Sequence, residues 1–301
     1  MIKRKAFTMI ELIFVIVIMA ILAKFGVEFL AQAYNNFIFS KINHDLQSNS
    51  ESAVEFVSKR LQHRIKDSVI VRNTILNTKV PLQGSAPDQN ATILEWISAD
   101  EDGFRGNSNV NMLPNWSGII DLDDCNQSLL VSKGTNTSRV NSLINTLSYG
   151  NAGINDSAIY FIGSSPTTNA WGYDGNITDQ NSTMHPIASV TGQPTHLAPN
   201  TGTNNFSGVL LYEYYKLSWT AYAVELADYN TTTNSGTLTL WYNYRPWKGE
   251  VYNTHGRSSV IMRNVSSFQF RAVGSLTKIQ ICVKSLLTSE EYSICKEKTI
   301  F

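Results

Sequence analysis

Residues 7–23 run seventeen positions with a single charge, Glu11. A bilayer core takes about 20 apolar residues, and as few as about 17. Phe25-Gly-Val-Glu-Phe-Leu-Ala31 prolongs the apolar character past Lys24. No other feature constrains the fold as strongly, because a helix this apolar must be covered by lipid or by other helices. Three cations precede it, Lys3, Arg4 and Lys5. Such a cluster stays cytoplasmic and places the chain beyond the helix on the far side of the membrane.

Glu11 is the anomaly. A carboxylate inside a membrane segment is costly unless it is partnered, and by default it marks function. A cleaved secretory signal would explain the basic start and the apolar run, and Ala31-Gln-Ala33 offers a small-x-small site. Lys24 and Glu28 between core and site, and Glu11 within the core, argue against it. A plain signal anchor leaves Glu11 unexplained.

The register of these residues is specific. Lys5-Ala6-Phe7-Thr8-Met9-Ile10-Glu11-Leu12-Ile13 resembles the processing and methylation signature of type IV prepilins and type II secretion pseudopilins. The resemblance implies cleavage by a prepilin peptidase between Ala6 and Phe7, with Lys3, Arg4 and Lys5 in the removed leader and Phe7 as the methylated N-terminus. It makes Glu11 the fifth mature residue, the assembly glutamate of that family. The implied partners are the peptidase, other pilins or pseudopilins through the N-terminal helix, the inner membrane and its assembly platform. Ala6 stands where the family usually has Gly, and no proline kinks the helix. An ammonium at Phe7 and the Glu11 carboxylate of a neighbour would attract strongly in low dielectric, where either alone is expensive.

Beyond the membrane half the apolar positions Ile42, Leu46, Ala53, Val57, Leu61 and Ile65 fall at helical spacing, with Lys41, Asp45, Lys59 and Lys66 opposite. No proline occurs before Pro81. The pattern predicts one helix from Phe7 to about Ser68, roughly 90 Å long at the usual rise per residue. Its second half would lay an apolar stripe on a soluble domain. The expected division is 1–6 leader, 7–30 membrane and assembly half, 31–72 amphipathic half and 73–301 β-rich periplasmic domain.

The C-terminal region reads as antiparallel β. Residues 208–226 are dense in aromatic and β-branched side chains, 228–236 are turn-prone, and Thr237-Leu-Thr-Leu-Trp-Tyr-Asn-Tyr244 alternates with period two. Residues 266–273 and 277–284 make a second pair around Gly274. Residues 97–118 and 133–207 are polar, rich in Gly, Asn and Thr, and are expected to be long loops between short strands such as Ala158-Ile-Tyr-Phe-Ile162. The fold class is therefore α+β. The resemblance adds the pilin-like form, a long N-terminal helix packed on an antiparallel sheet with loop insertions. The chain's size favours a larger minor pilin or J-type minor pseudopilin over a compact major pilin.

The three cysteines, Cys125, Cys282 and Cys295, allow three pairings and always leave one thiol over. Cys282 ends a predicted strand and Cys295 lies near the C-terminus, so a bridge between them closes a short loop. It also resembles the C-terminal disulfide loop of type IV pilins. No Cys-x-x-Cys or histidine spacing suggests zinc. The acidic clusters Asp100-Glu-Asp-Gly103 and Asp121-Leu-Asp-Asp124 could offer oxygens to calcium, as in some pseudopilins, but neither follows an EF-hand pattern. No cofactor is expected.

Ser58-Lys-Arg-Leu-Gln-His-Arg-Ile-Lys66 is basic and could meet nucleic acid or anionic lipid. Leu61 and Ile65 interrupt it, and Lys+Arg and Asp+Glu both number 24, which favours a solvated helix face. No nucleotide-binding loop, nucleophile elbow or metalloprotease motif occurs, so the chain reads as a non-enzyme. The leading reading is a structural subunit of a type IV pilus or type II secretion pseudopilus. A filament-tip module recognising a surface, DNA or a secreted substrate is the alternative, and a membrane-anchored periplasmic enzyme is the third.

Overall fold

The structure, a computed structural model, describes residues 8–73, 78–83, 92–105, 113–165, 171–200, 205–285 and 292–301. The chain divides into two compact units, residues 1–49 and 50–301. One helix, α1 (Met9–Gln62), contributes to both. In the first unit it carries apolar side chains on every side. Ile10, Phe14, Ile18, Leu22, Phe25 and Phe29 are all more than half exposed. No part of its most apolar window is buried within the protein.

In the second unit the strands are, in chain order, β1 (Ile70–Asn73), β2 (Thr78–Pro81), β3 (Ile93–Ser98), β4 (Leu130–Val131), β5 (Ala158–Phe161), β6 (His185–Val190), β7 (Gln193–Pro199), β8 (Tyr215–Ser218), β9 (Thr220–Asn230), β10 (Ser235–Tyr244), β11 (Arg257–Val273), β12 (Leu276–Lys284) and β13 (Ser293–Ile300). Three further helices are α2 (Glu101–Arg105), α3 (Thr137–Leu147) and α4 (Tyr252–His255). Eight strands form one antiparallel sheet in the order β13-β12-β11-β10-β9-β3-β1-β2. Five form another, β4-β7-β6-β5-β8.

The last turns of α1 cover one face of the large sheet. Val57 and Leu61 are fully buried there against Leu94, Trp96, Val224, Leu240 and Ile281. Because side chains alternate along β3, Ile93 and Ile97 point to the opposite face, where they meet Tyr160 and Ala158 of the small sheet with Trp171 and Trp247. The small sheet keeps its own core around Leu130, Ile144, Phe161, Ile187 and Leu217. Segment 118–121 hydrogen-bonds to both of its edges: Gly118 O accepts from Tyr215 N at 3.0 Å and Asp121 N donates to Val131 O at 2.8 Å.

Two sequence expectations are corrected. The helix stops at Gln62, short of Ser68, and the amphipathic half does not extend to residue 72. The backbone beyond it is claimed by β3: Ile65 N donates to Ile97 O at 2.9 Å and Ala99 N to His63 O at 2.8 Å. A single 3-10 turn, Lys66–Ser68, then leads into β1. Segment 133–207 has the short strands expected between loops, but its described residues also form an unexpected helix. It holds α3 and strands of the small sheet, whose apolar residues are short islands that only long-range pairing joins. Residues 208–226 hold one strand and the start of the next. The chain passes from β8 in the small sheet to β9 in the large one across a single residue, Trp219. By contrast, the predicted strand over 237–244 lies within β10, and the pair around Gly274 is the β11–β12 hairpin.

Candidate functional site: the helix N-terminus

Thr8 and Glu11 close the start of α1 reciprocally. Glu11 Oε2 accepts from Thr8 N at 3.0 Å and from Thr8 Oγ1 at 2.9 Å, while Thr8 Oγ1 accepts from Glu11 N at 3.4 Å. Leu12 N donates to Thr8 O at 3.2 Å as the first helical bond. This is a capping box, in which a threonine at the N-cap and an acid three residues on satisfy backbone donors that the helix cannot. It also places negative charge at the positive end of the helix dipole. The sequence reading singled out Glu11 without its partner, although the Thr-x-x-Glu spacing is legible in the chain.

Lys3, Arg4, Lys5, Ala6 and Phe7 lie outside the described residues. Thr8 is next to Phe7, so an amine freed at Phe7 is one residue from the capped end. Past the apolar run, Lys24 and Glu28 form an exposed i,i+4 pair at 3.9 Å, which keeps the rod free of unpaired charge at that point.

The other residues singled out from sequence have separate places. Cys282 and Cys295 are disulfide-bonded and face each other across β12 and β13. Cys125 is free and half-buried, its Sγ donating to Asp121 O at 3.0 Å, and burial pushes its thiol up. Asp121 and Asp124 both pair with Lys133. Asp100 is buried and accepts from the indoles of Trp116 at 3.0 Å and Trp219 at 3.3 Å, and from Gly103 N at 3.2 Å. Burial pushes its carboxyl up against these donors. A Cβ on Gly103 would sit 2.0 Å from Asp100 Oδ2, so only glycine leaves the carboxylate its room. Asp100 thus pins the crossing between the two sheets. Among the described residues no group of three or more His, Cys, Asp or Glu is arranged to hold a metal.

The basic segment 58–66 does not form one surface. Arg60 stacks over the Phe56 ring at 3.8 Å, and buried Arg64 donates to Leu61 O at 2.7 Å and to Phe301 O at 3.2 Å. Glu95, the buried carboxylate of β3, is held by Arg72 at 2.7 Å and by the Tyr244 hydroxyl at 3.0 Å. Burial pushes Glu95 up, against the pull of the guanidinium.

A capped, unpacked apolar helix that leads into an antiparallel β domain is the pilin-like α+β arrangement. The family model described as the prokaryotic N-terminal methylation motif matches residues 1–23. The chain therefore carries the N-terminal processing motif of type IV prepilin-like proteins, on the segment that the capping box closes. No curated protein and no solved structure matches it.

Proposed function

We propose that this chain is a minor pilin or pseudopilin. Prepilin peptidase cuts it between Ala6 and Phe7 and methylates Phe7. The mature subunit joins or initiates a periplasmic type IV pilus or type II secretion pseudopilus. The observation that carries the reading is the methylation motif over residues 1–23 in register with Glu11 and the bare helix behind it.

The capping bonds hold the Glu11 carboxylate at the end of the helix where cleavage creates an amine. In the membrane such a carboxylate gains most by meeting an ammonium, and a neighbour's new N-terminus supplies one. That pair sets the register as subunits stack. The apolar side chains from Met9 to Phe37, exposed in the single chain, are then covered by the helices of adjacent subunits. The domain behind the helix keeps the closed core of an independently folded head.

Mass spectrometry of the mature N-terminus tests this directly. A chain starting at N-methyl-Phe7 is expected. An intact Met1, or a start at Tyr34, would show an unprocessed anchor or an ordinary signal peptide instead. Glu11→Ala is expected to reach the membrane but to be lost from sheared filaments or pseudopili. Normal incorporation would remove the assembly role.

A further inference from the structure

The sequence contains ten Asn-x-Ser/Thr acceptor triplets, with none before residue 90. In five of them an aspartate stands two residues before the asparagine: Asp88-Gln-Asn90-Ala-Thr92, Asp124-Cys-Asn126-Gln-Ser128, Asp174-Gly-Asn176-Ile-Thr178, Asp179-Gln-Asn181-Ser-Thr183 and Asp228-Tyr-Asn230-Thr-Thr232. Asp and Glu together are 24 of 301 residues, a share that would place an acid there in fewer than one of the ten. The acid and the triplet therefore travel together.

Four of the five lie among the described residues, and of the acid-free acceptors Asn155 and Asn264 are exposed as well. Asn90 lies outside the described residues. Asn126, Asn176, Asn181 and Asn230 are all exposed and lie on turns or bends or directly beside them. The triplets without an acid include Asn115, buried at 1% exposure, and Asn136, whose side chain caps α3 by accepting from Arg139 N. At Asn230, in the tight β9–β10 connection, Oδ1 accepts from Thr232 N at 2.8 Å. Asn126 Oδ1 accepts from Ser128 N at the same distance. In both, the carboxamide oxygen is engaged within the triplet, and Nδ2 has no partner among the described residues. Asp228 is exposed, so its carboxylate is open to a cationic group of an incoming enzyme, whereas Asp124 before Asn126 pairs with Lys133 and is still exposed.

We propose that the domain is N-glycosylated at the acid-preceded asparagines, Asn230 and Asn126 foremost, by a membrane oligosaccharyltransferase that reads the aspartate as well as the hydroxyl residue. The donor is an oligosaccharide carried on a polyprenyl pyrophosphate. Asn230 Nδ2 attacks the anomeric carbon of the first sugar and the C–N bond forms. The C–O bond to the pyrophosphate breaks, the lipid pyrophosphate leaves, and the amide proton passes to a base of the enzyme. Asn-x-Ser/Thr acceptors belong on the surface of exported domains. This inference rests on the proposed topology, with residues after the helix outside the inner membrane.

Glycopeptide mass spectrometry on the full chain isolated from the envelope of the cells that make it tests the inference. Added glycan mass is expected at Asn230 and Asn126. Asn230→Gln removes one glycan. Asp228→Asn loses the glycan at Asn230 although Asn-Thr-Thr stays intact. Unmodified Asn230 and Asn126 peptides, occupancy unaffected by Asp228→Asn, or equal glycosylation at Asn264, which lacks the acid, would each overturn it. The N-terminal peptide in the same spectrum reads the topology separately. A processed Phe7 with bare asparagines sinks the glycan alone, whereas an unprocessed Met1 with bare asparagines sinks both.

Discussion

Two phenylalanines show how differently the two units of this protein use the same residue. Phe14, in the first unit, is 62% exposed, and Phe161, in the small sheet of the second, is 0% exposed. The first unit satisfies its backbone within one helix and leaves its apolar surface for something else to cover. The second buries its apolar residues in three cores of its own. Apolar surface left open on a helix is an association signal, whereas closed cores are stability. The contrast fits the proposed function, in which the first unit associates and the second carries the stability.

The largest effect expected is a split between the two. Leu61→Ala empties a fully buried position beneath the large sheet and should lower unfolding free energy by about 3–4 kcal/mol. Phe14→Ala should leave it within about 0.5 kcal/mol while weakening membrane and filament association. Urea unfolding of the detergent-solubilised chain, followed by tryptophan fluorescence, reads the difference. Equal losses would mean that the first unit is part of the folding domain.

Next comes acid sensitivity, confined to the second unit. His185 packs between the rings of Phe161 and Phe206, and burial lowers its pKa from 6.5 to about 4. Between those values the unfolded chain binds a proton that the folded chain refuses. Stability is therefore full above pH 6.5 and falls as the pH drops toward 4, by about 3 kcal/mol from this residue. His185→Gln should flatten that share of the slope when urea midpoints at pH 7 and pH 4.5 are compared. An unchanged slope would assign the acid sensitivity to the carboxylates.

The disulfide ranks beside it. Cys282 and Cys295 are 13 residues apart, and removing both thiols as Cys282→Ser with Cys295→Ser should cost about 3 kcal/mol by loop entropy. Thermal unfolding with and without reductant checks this, with the double variant expected to match the reduced protein. The smallest effect lies at the other end of the chain. Thr8→Val removes the N-cap and should cost about 1 kcal/mol or less, all of it local. Amide exchange in the first turn of α1 should speed up while protection in β9 and β10 stays as it was.

Legibility in the sequence tracks how local each feature is. The stripe Ala53, Val57, Leu61 is readable from spacing, and β10 and β12 from period-two alternation, because neighbours in the chain determine those patterns. The small sheet is readable only at β5, whose apolar island Ala158-Ile-Tyr-Phe-Ile162 stands out in the chain. Strand β4 is only two residues long and becomes a strand only by pairing with distant β7. The helix end escapes a local reading for the same reason, since Ile97, thirty-two positions on, takes the hydrogen bond from Ile65 that another helical turn would have used. Asp100 and Glu95 look alike as carboxylates. Only packing shows that one fastens two indoles and the other a buried arginine.

The N-terminal helix, its charge boundary, the Thr8–Glu11 spacing and the processing motif are all set by residues close together in the chain. A helix needs no distant partner for its backbone bonds, and a peptidase motif is read along the extended chain. Long-range packing decides where α1 ends, that a second sheet exists, where the chain crosses between sheets at Trp219, and which carboxylates are locked inside. Each of those depends on contacts between residues tens to hundreds of positions apart, and no local pattern carries them.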